Sequence, residues 1–119
     1  MNGIAAYREN AIQTQSPGRI VVLLYEGAIK FLRLTIEEMQ SGRHDEKARY
    51  MNRALDIITE LNLTLNMDSG GEVAKNLRRL YEFMVRHIYQ ANMASNPKGL
   101  EDVIKLLEEL NSGWKSLNA

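Results

Sequence analysis

The stretch SPGRIVVLLYEGAIKFL, residues 16–32, joins a helix start to a continuous apolar run. Ser16 can act as the N-cap, because its side-chain oxygen can accept a hydrogen bond from a free backbone N–H group, and Pro17 suits the first helical position. Residues 20–24 are then all apolar. A surface helix needs only one apolar stripe about 100° wide or a little more. The stretch therefore predicts a helix that is covered on more than one side.

Helix start and stop signals recur along the chain and divide it into four segments of about 20 to 25 residues, with short connections. Asp45 is expected to cap the second segment, which extends to about Met67. Matched lengths and short connections predict an all-α fold, an antiparallel up-down four-helix bundle with a short N-terminal capping segment. We expect a single domain over residues 1–119, with a cap segment at 1–15 and the bundle at 16–119. The other boundary signals are Ser16-Pro17, Ser41-Gly42, the break at 68–71, Ala94 and Asn96-Pro97.

Composition excludes several classes of partner and site. Fifteen basic residues balance fifteen acidic ones, so the chain lacks the positive charge that nucleic acid or an anionic membrane surface attracts. There is no cysteine, hence no disulfide framework. No apolar run approaches the ~18 residues of a membrane span, and the N-terminus lacks the apolar region of a secretory signal peptide. We therefore expect no nucleic acid partner, no membrane insertion and a cytoplasmic location.

The chain is poor in residues that could build an active site. Carboxylate-bridged metal sites in helical bundles use Glu-x-x-His pairs, but Ser41 and Met84 precede His44 and His87 by three residues. Adjacent glutamates on a helix diverge by about 100° and cannot face each other as an acid and base couple. We expect no catalytic residue, no metal and no cofactor. An enzyme would need a polar cluster that the helical wheels do not show.

The first segment has a much wider apolar surface than the others. Its polar side chains are confined to about 60° of arc, which leaves an arc of roughly 260° that is mostly apolar. Residues 1–15 could cover the excess from within the chain, or a partner helix could lie against it, since large exposed apolar patches often mark interaction surfaces. Both explanations hold if the N-terminal segment is a removable cover. The polar residues are Glu26, Lys30, Arg33 and Glu37.

The other three segments each carry one ordinary apolar face. In the third segment the predicted core face runs from Val73 to Ala91, and Tyr81 extends it sideways. In the fourth segment the predicted apolar face runs from Leu100 to Leu117 and includes Trp114. These faces are typical of a bundle core and suggest no further site.

The sequence LLYEGAIKFL at 23–32, preceded by QSP at 15–17, resembles the signature of the FliS family of flagellar secretion chaperones, which is a Ser-Pro followed by Leu-Tyr-Asp-Gly-Ala. Glu26 replaces the commoner aspartate, a conservative change. The resemblance covers nearly the whole chain. Further matches follow at 3–7, 56–84 and 91–114.

The resemblance implies a cytoplasmic four-helix chaperone that binds the C-terminal segment of flagellin, prevents its premature polymerisation and assists its delivery to the type III export apparatus. Ile4 and Tyr7 match positions that dock the loaded chaperone to the export gate protein. The free protein is expected to be able to form a homodimer through an uncovered groove. A helical export chaperone or adaptor for a client other than flagellin is the alternative.

Two sides of the first segment are then assigned to different tasks. With Ile20 as the reference direction, one cluster of side chains is predicted to face the core and the opposite cluster to form the flagellin-binding groove. The predicted core residues are Ile20, Leu24, Phe31 and Leu34. The predicted groove residues are Val22, Tyr25, Ile29, Leu32 and Ile36.

Overall fold

The computed structural model describes residues 17–118, which form four α-helices. Within that range there is no β-strand, so the predicted all-α bundle is confirmed. The longest helix has 25 residues and is about 37 Å long, which is close to the 42 Å long dimension of the molecule. The helices are α1 (Pro17–Ser41), α2 (His44–Leu63), α3 (Gly71–Met93) and α4 (Pro97–Leu117).

The helices pack as a ring around one core. α1 contacts α2 and α4, and α3 contacts the same two helices. The contacts of α1 with both neighbours are the most extensive in the bundle, whereas α2 and α3 pack least closely. Because α1 is covered on two sides, it needs more apolar surface than a single stripe. The ring therefore accounts for a large part of the wide apolar arc of α1.

Two helix boundaries follow the sequence signals closely. α1 ends at Ser41, and Gly42 adopts a φ of +73°, a conformation that glycine reaches without steric cost. At the start of α4, Asn96 Oδ1 accepts a hydrogen bond from the backbone N–H of Lys98 at 3.1 Å, and Pro97 lies in the first turn. The helix boundary predicted at Asn96-Pro97 is confirmed.

Both predicted boundaries of α2 are wrong. The helix begins at His44, so Asp45 lies inside the first turn, where its negative charge faces the positive end of the helix dipole. The helix ends at Leu63 instead of Met67, because the chain turns after Thr64. The turn is held by a side-chain hydrogen bond, from the backbone N–H of Ser69 to Asn66 Oδ1 at 3.1 Å.

The core consists of apolar stripes in which buried positions alternate by three and four residues, the spacing of helices that pack nearly parallel in bundles. On α3 this stripe begins at Ala74 and includes Tyr81, so the predictions that Val73 is core and that Tyr81 lies to the side are wrong. Val73 is 66% exposed and Leu117 is 78% exposed. The buried stripe of α3 is Ala74, Leu77, Tyr81, Met84, Ile88 and Ala91.

Candidate functional site

The two sides of α1 are arranged differently from the prediction. Val22, Tyr25 and Leu32, predicted to form part of an exposed groove, have no exposed surface. Of the predicted core residues, Leu24 is buried, whereas the others are only partly buried. The assignment of Val22, Tyr25 and Leu32 to an open surface is therefore wrong for the free chain. The partly buried members of the predicted core are Ile20, Phe31 and Leu34.

The physical reason is the position of the buried stripe on α1. Tyr25, Ala28, Leu32 and Thr35 alternate by three and four residues and are all fully buried. The hydroxyl group of Thr35 is satisfied, because it donates to the backbone carbonyl oxygen of Phe31 at 2.7 Å. Phe31 is displaced to the edge facing α2, where its ring stacks on Tyr50 with centroids 6.3 Å apart.

Ile29 and Ile36, the remaining predicted groove residues, both line a surface groove between α1 and α4. An ion pair crosses this groove, from Arg33 Nη2 to Glu108 Oε2 at 2.8 Å. It divides the groove into two depressions, of about 750 Å³ beside Ile29 and about 380 Å³ beside Ile36. The α1/α4 groove is thus an open channel with isoleucines on its α1 side and charged residues on its rims.

Asn111 is a polar residue on the wall of the α1/α4 groove that the sequence analysis missed. It is only 2% exposed and lines the larger depression, and its Oδ1 atom has no hydrogen-bond partner within the described part of the chain. The signal was present in the sequence, because Asn111 occupies a place in the buried stripe of α4 where Leu107 and Trp114 are its neighbours on either side. A polar residue in an otherwise apolar stripe often has a specific role.

Tyr25 belongs to an internal aromatic cluster. Its hydroxyl group lies 2.5 Å from the hydroxyl group of Tyr81, across the bundle on α3, and its ring lies 6.4 Å from that of Trp114 on α4. Burial raises the pKa of Tyr25 and of Tyr81, so both hydroxyl groups are neutral at physiological pH. The cluster joins three helices in the centre of the fold.

A second surface groove lies between α2 and α3. Val85 and Asn62 line it, and the buried Ile58 and Tyr81 form part of its wall. Its volume is about 390 Å³, close to that of the smaller depression of the α1/α4 groove. α2 and α3 are the least closely packed neighbouring helices. The groove between them is therefore the alternative binding site against which the α1/α4 groove should be tested.

The histidines have ordinary surface surroundings. His87 Nε2 lies 3.4 Å from Asp102 Oδ2, and the ring stacks on Phe83, whereas His44 is exposed. Over residues 17–118, no group of three or more His, Cys, Asp or Glu side chains could hold a metal ion. None of the four helices is both long enough and apolar enough to cross a membrane. Ile4 and Tyr7 lie outside the described residues.

Comparison with known proteins assigns the fold and the sequence to one family. The family model described as "Flagellar protein FliS" matches residues 1–119. A flagellar secretion chaperone FliS of Vibrio cholerae is 40% identical over 118 residues, which cover 96% of this chain and 87% of the relative. That of Bacillus subtilis is 31% identical over 114 residues, covering 96% and 84%.

A solved structure supports the fold independently. A crystal structure described as that of a flagellar chaperone from bacteria superposes with a TM-score of 0.79 at 20% identity, covering 98% of this chain and 97% of the other. The family is one of chaperones and not of enzymes, which agrees with the expectation from the sequence. The signature residues, the four-helix ring and these matches together show that the chain belongs to the FliS family of flagellar secretion chaperones.

Proposed function

We propose that this chain is a cytoplasmic chaperone for the C-terminal segment of flagellin, which it keeps unpolymerised and delivers to the flagellar type III export apparatus. Membership of the FliS family supports a flagellar client. We place the client-binding surface at the α1/α4 groove because this groove is an open channel in which Ile29 and Ile36 lie two helical turns apart on one face of α1.

The groove suits an amphipathic helix. Side chains at i and i+7 are about 10.5 Å apart along a helix, so Ile29 and Ile36 can receive apolar anchors that lie two turns apart on a bound helical segment. A segment that is disordered when free loses conformational entropy on binding, and apolar burial in the groove is needed to offset that loss. In this proposal the buried Tyr25 and Leu32 hold α1 in place and do not touch the client.

The ion pair between Arg33 and Glu108 gives the groove a means of adapting. Both side chains are about half exposed, at 57% and 49%, so their mutual attraction is weak enough for a client to displace it. Separation of the two side chains would join the two depressions into one channel. The charged ends of both residues could then interact with polar groups at the edge of the bound helix.

The test uses a peptide of about 40 residues from the C-terminus of the cognate flagellin. Isothermal titration calorimetry is expected to show saturable binding, and circular dichroism to show a gain of helix beyond the sum of the two components, because the peptide buries its apolar face only when ordered. A mixture with no heat and an additive spectrum would contradict the proposal and favour a client other than flagellin.

A matched pair of variants locates the site. Ile29→Ala is expected to weaken peptide binding about tenfold, because an apolar side chain contributes most where it becomes buried at an interface. Val85→Ala is the control, since Val85 is also partly buried but lines the groove between α2 and α3. Loss of affinity in Val85→Ala with unchanged affinity in Ile29→Ala would place the client between α2 and α3.

The N-terminal segment is proposed to carry the docking contact with the export gate protein, through Ile4 and Tyr7, as the family resemblance implies. The double variant Ile4→Ala/Tyr7→Ala is expected to bind the flagellin peptide with unchanged affinity and to lose co-purification with the gate protein when loaded. Unchanged gate binding would remove these two residues from the proposal.

We further propose that the unloaded chain forms a homodimer through the α1/α4 groove. Addition of the flagellin peptide should then dissociate the homodimer in sedimentation experiments.

A further inference from the structure

We propose that Asn111 selects the client segment, by accepting a hydrogen bond at Oδ1 from a polar side chain of the helix that binds in the α1/α4 groove. This inference rests on the proposed function, because it assumes that the flagellin segment occupies this groove. It adds a polar requirement to a site that otherwise recognises apolar surface.

The first argument is the burial of an unpaired acceptor. Asn111 is 2% exposed, and its Oδ1 is buried with no hydrogen-bond partner among residues 17–118. Most buried polar side-chain atoms are hydrogen-bonded, because an unpaired one costs free energy relative to its solvated state. In the free chain, the unpaired Asn111 acceptor therefore lowers the stability of the fold, and an apolar residue of similar volume would not. A hydrogen bond made in the loaded state would remove that cost.

The second argument is the place of Asn111 in the groove. It lines the larger depression together with Ile29 of α1 and with Ser112 and Lys115 of its own helix. Lys115 Nζ is held 3.4 Å from Glu26 Oε2, which directs its charge across the groove to α1. An occupant of this depression would thus meet an apolar side chain next to Asn111. In the proposal, the Asn111 amide rotates about χ2 in the loaded state, which turns Oδ1 toward the occupant.

The chemistry of the occupant follows. Backbone N–H groups inside a helix are already bonded to carbonyl oxygens one turn earlier, so a helical client must supply the donor from a side chain. Asparagine, glutamine, serine or threonine fits, placed next to the apolar residue that covers Ile29. A segment with an apolar residue at that place would leave Oδ1 unpaired in a dry interface and would bind less tightly.

The decisive variant is Asn111→Leu, which has a similar volume and no polar atoms. We expect it to fold with a higher midpoint of thermal unfolding, because the buried acceptor is gone, and to bind the flagellin peptide about tenfold more weakly, because the client's donor is then unpaired. Asn92→Leu is the matched control: Asn92 Oδ1 is also buried and lacks a partner among the described residues, but Asn92 lies on α3, away from the groove. Its peptide affinity is expected to equal that of the wild type.

A second measurement does not depend on the variants folding. In ¹⁵N-labelled wild-type protein, the side-chain amide signal of Asn111 is expected to shift on addition of the peptide, while that of Asn92 stays in place. An unmoved Asn111 signal, or wild-type affinity in Asn111→Leu, would overturn the inference while the proposed function stands. Failure of the wild-type chain to bind the peptide would instead overturn the proposed function, and the inference with it.

Discussion

At the scale of single residues, the Tyr25–Tyr81 hydroxyl pair is the most specific contact in the core. The two residues lie on helices that are not neighbours in the ring, and their hydroxyl groups lie 2.5 Å apart. Since both residues are 2% exposed or less, water cannot replace either partner. A buried polar pair of this kind strongly penalises arrangements in which α1 and α3 are shifted relative to each other.

We expect Tyr25→Phe to lower the free energy of unfolding by about 1–3 kcal/mol, because it leaves the Tyr81 hydroxyl group buried without a partner. Tyr81→Phe should have a similar effect. The double variant Tyr25→Phe/Tyr81→Phe should be more stable than either single variant, because no buried hydroxyl group is left unpaired. Urea unfolding of the four proteins measures the coupling, and strictly additive losses would contradict a direct hydrogen bond.

At the scale of elements, the corner between α1 and α2 is held by one carboxylate. Both the Nε and the Nη2 atoms of Arg43 donate to Glu38, the latter at 2.9 Å, and the backbone N–H of Arg43 donates to the carbonyl oxygen of Glu38 at 3.0 Å. The hydrogen bonds from the Arg43 side chain lower the pKa of the Glu38 carboxyl group below its ordinary value. The corner is therefore expected to respond to acid.

The sign of the pH effect follows from the lowered pKa of Glu38. A carboxyl group whose pKa is lower in the folded state stabilises the fold above its unfolded pKa, and that stabilisation is lost as the pH falls through the folded value. Glu38→Gln is expected to be less stable than wild type at pH 7, with a difference that shrinks below about pH 4.5, the ordinary value for glutamate. Thermal unfolding between pH 2.5 and 7 tests this, with Glu37→Gln as the exposed control. A difference that is the same at every pH would contradict the assignment.

α1 shows how an element can serve a core and a binding surface together. Its buried stripe faces the centre of the bundle, whereas Ile29 and Ile36 lie on the side next to α4 and are only partly buried. A binding site on such a helix has a rigid backbone, because the opposite side is fixed by packing against α2 and the core.

At the scale of the whole molecule, the ring of four helices is complete within the described residues. Among these residues, the helices contact one another around the ring and share one core cluster. Asn118 Nδ2 donates to the backbone carbonyl oxygen of Trp114 at 2.7 Å, which extends the hydrogen bonding at the end of α4. The bundle therefore has the contacts of an independent folding unit.

We expect a chain that lacks residues 1–15 to retain a cooperative thermal transition, because the contacts among the four helices are kept. Binding of an apolar dye or self-association should increase, since the sequence predicts residues 1–15 to cover part of the bundle. Differential scanning calorimetry and sedimentation of the full-length and shortened chains make the comparison. Loss of the transition would show that the N-terminal segment belongs to the core.

The sequence by itself determined the local features of this protein. Asn96-Pro97 and Gly42 mark helix boundaries because capping and left-handed backbone geometry depend on the residues at the boundary and a few neighbours. The number of helices, the all-α class and the family also follow from the chain alone. Of the five residues that the sequence assigned to the groove, Ile29 and Ile36 are the two that are only partly buried.

Only the tertiary structure decided which side of α1 faces the core. With an apolar arc of roughly 260°, many orientations of α1 bury a similar apolar area, so the helical wheel cannot choose among them. The choice depends on partners distant in sequence: Tyr81 receives the hydroxyl group of Tyr25, and Trp114 packs beside its ring. The burial of Val22, Tyr25 and Leu32, and the position of Asn111 in the groove, could not be predicted because they depend on how α4 and α3 pack against α1.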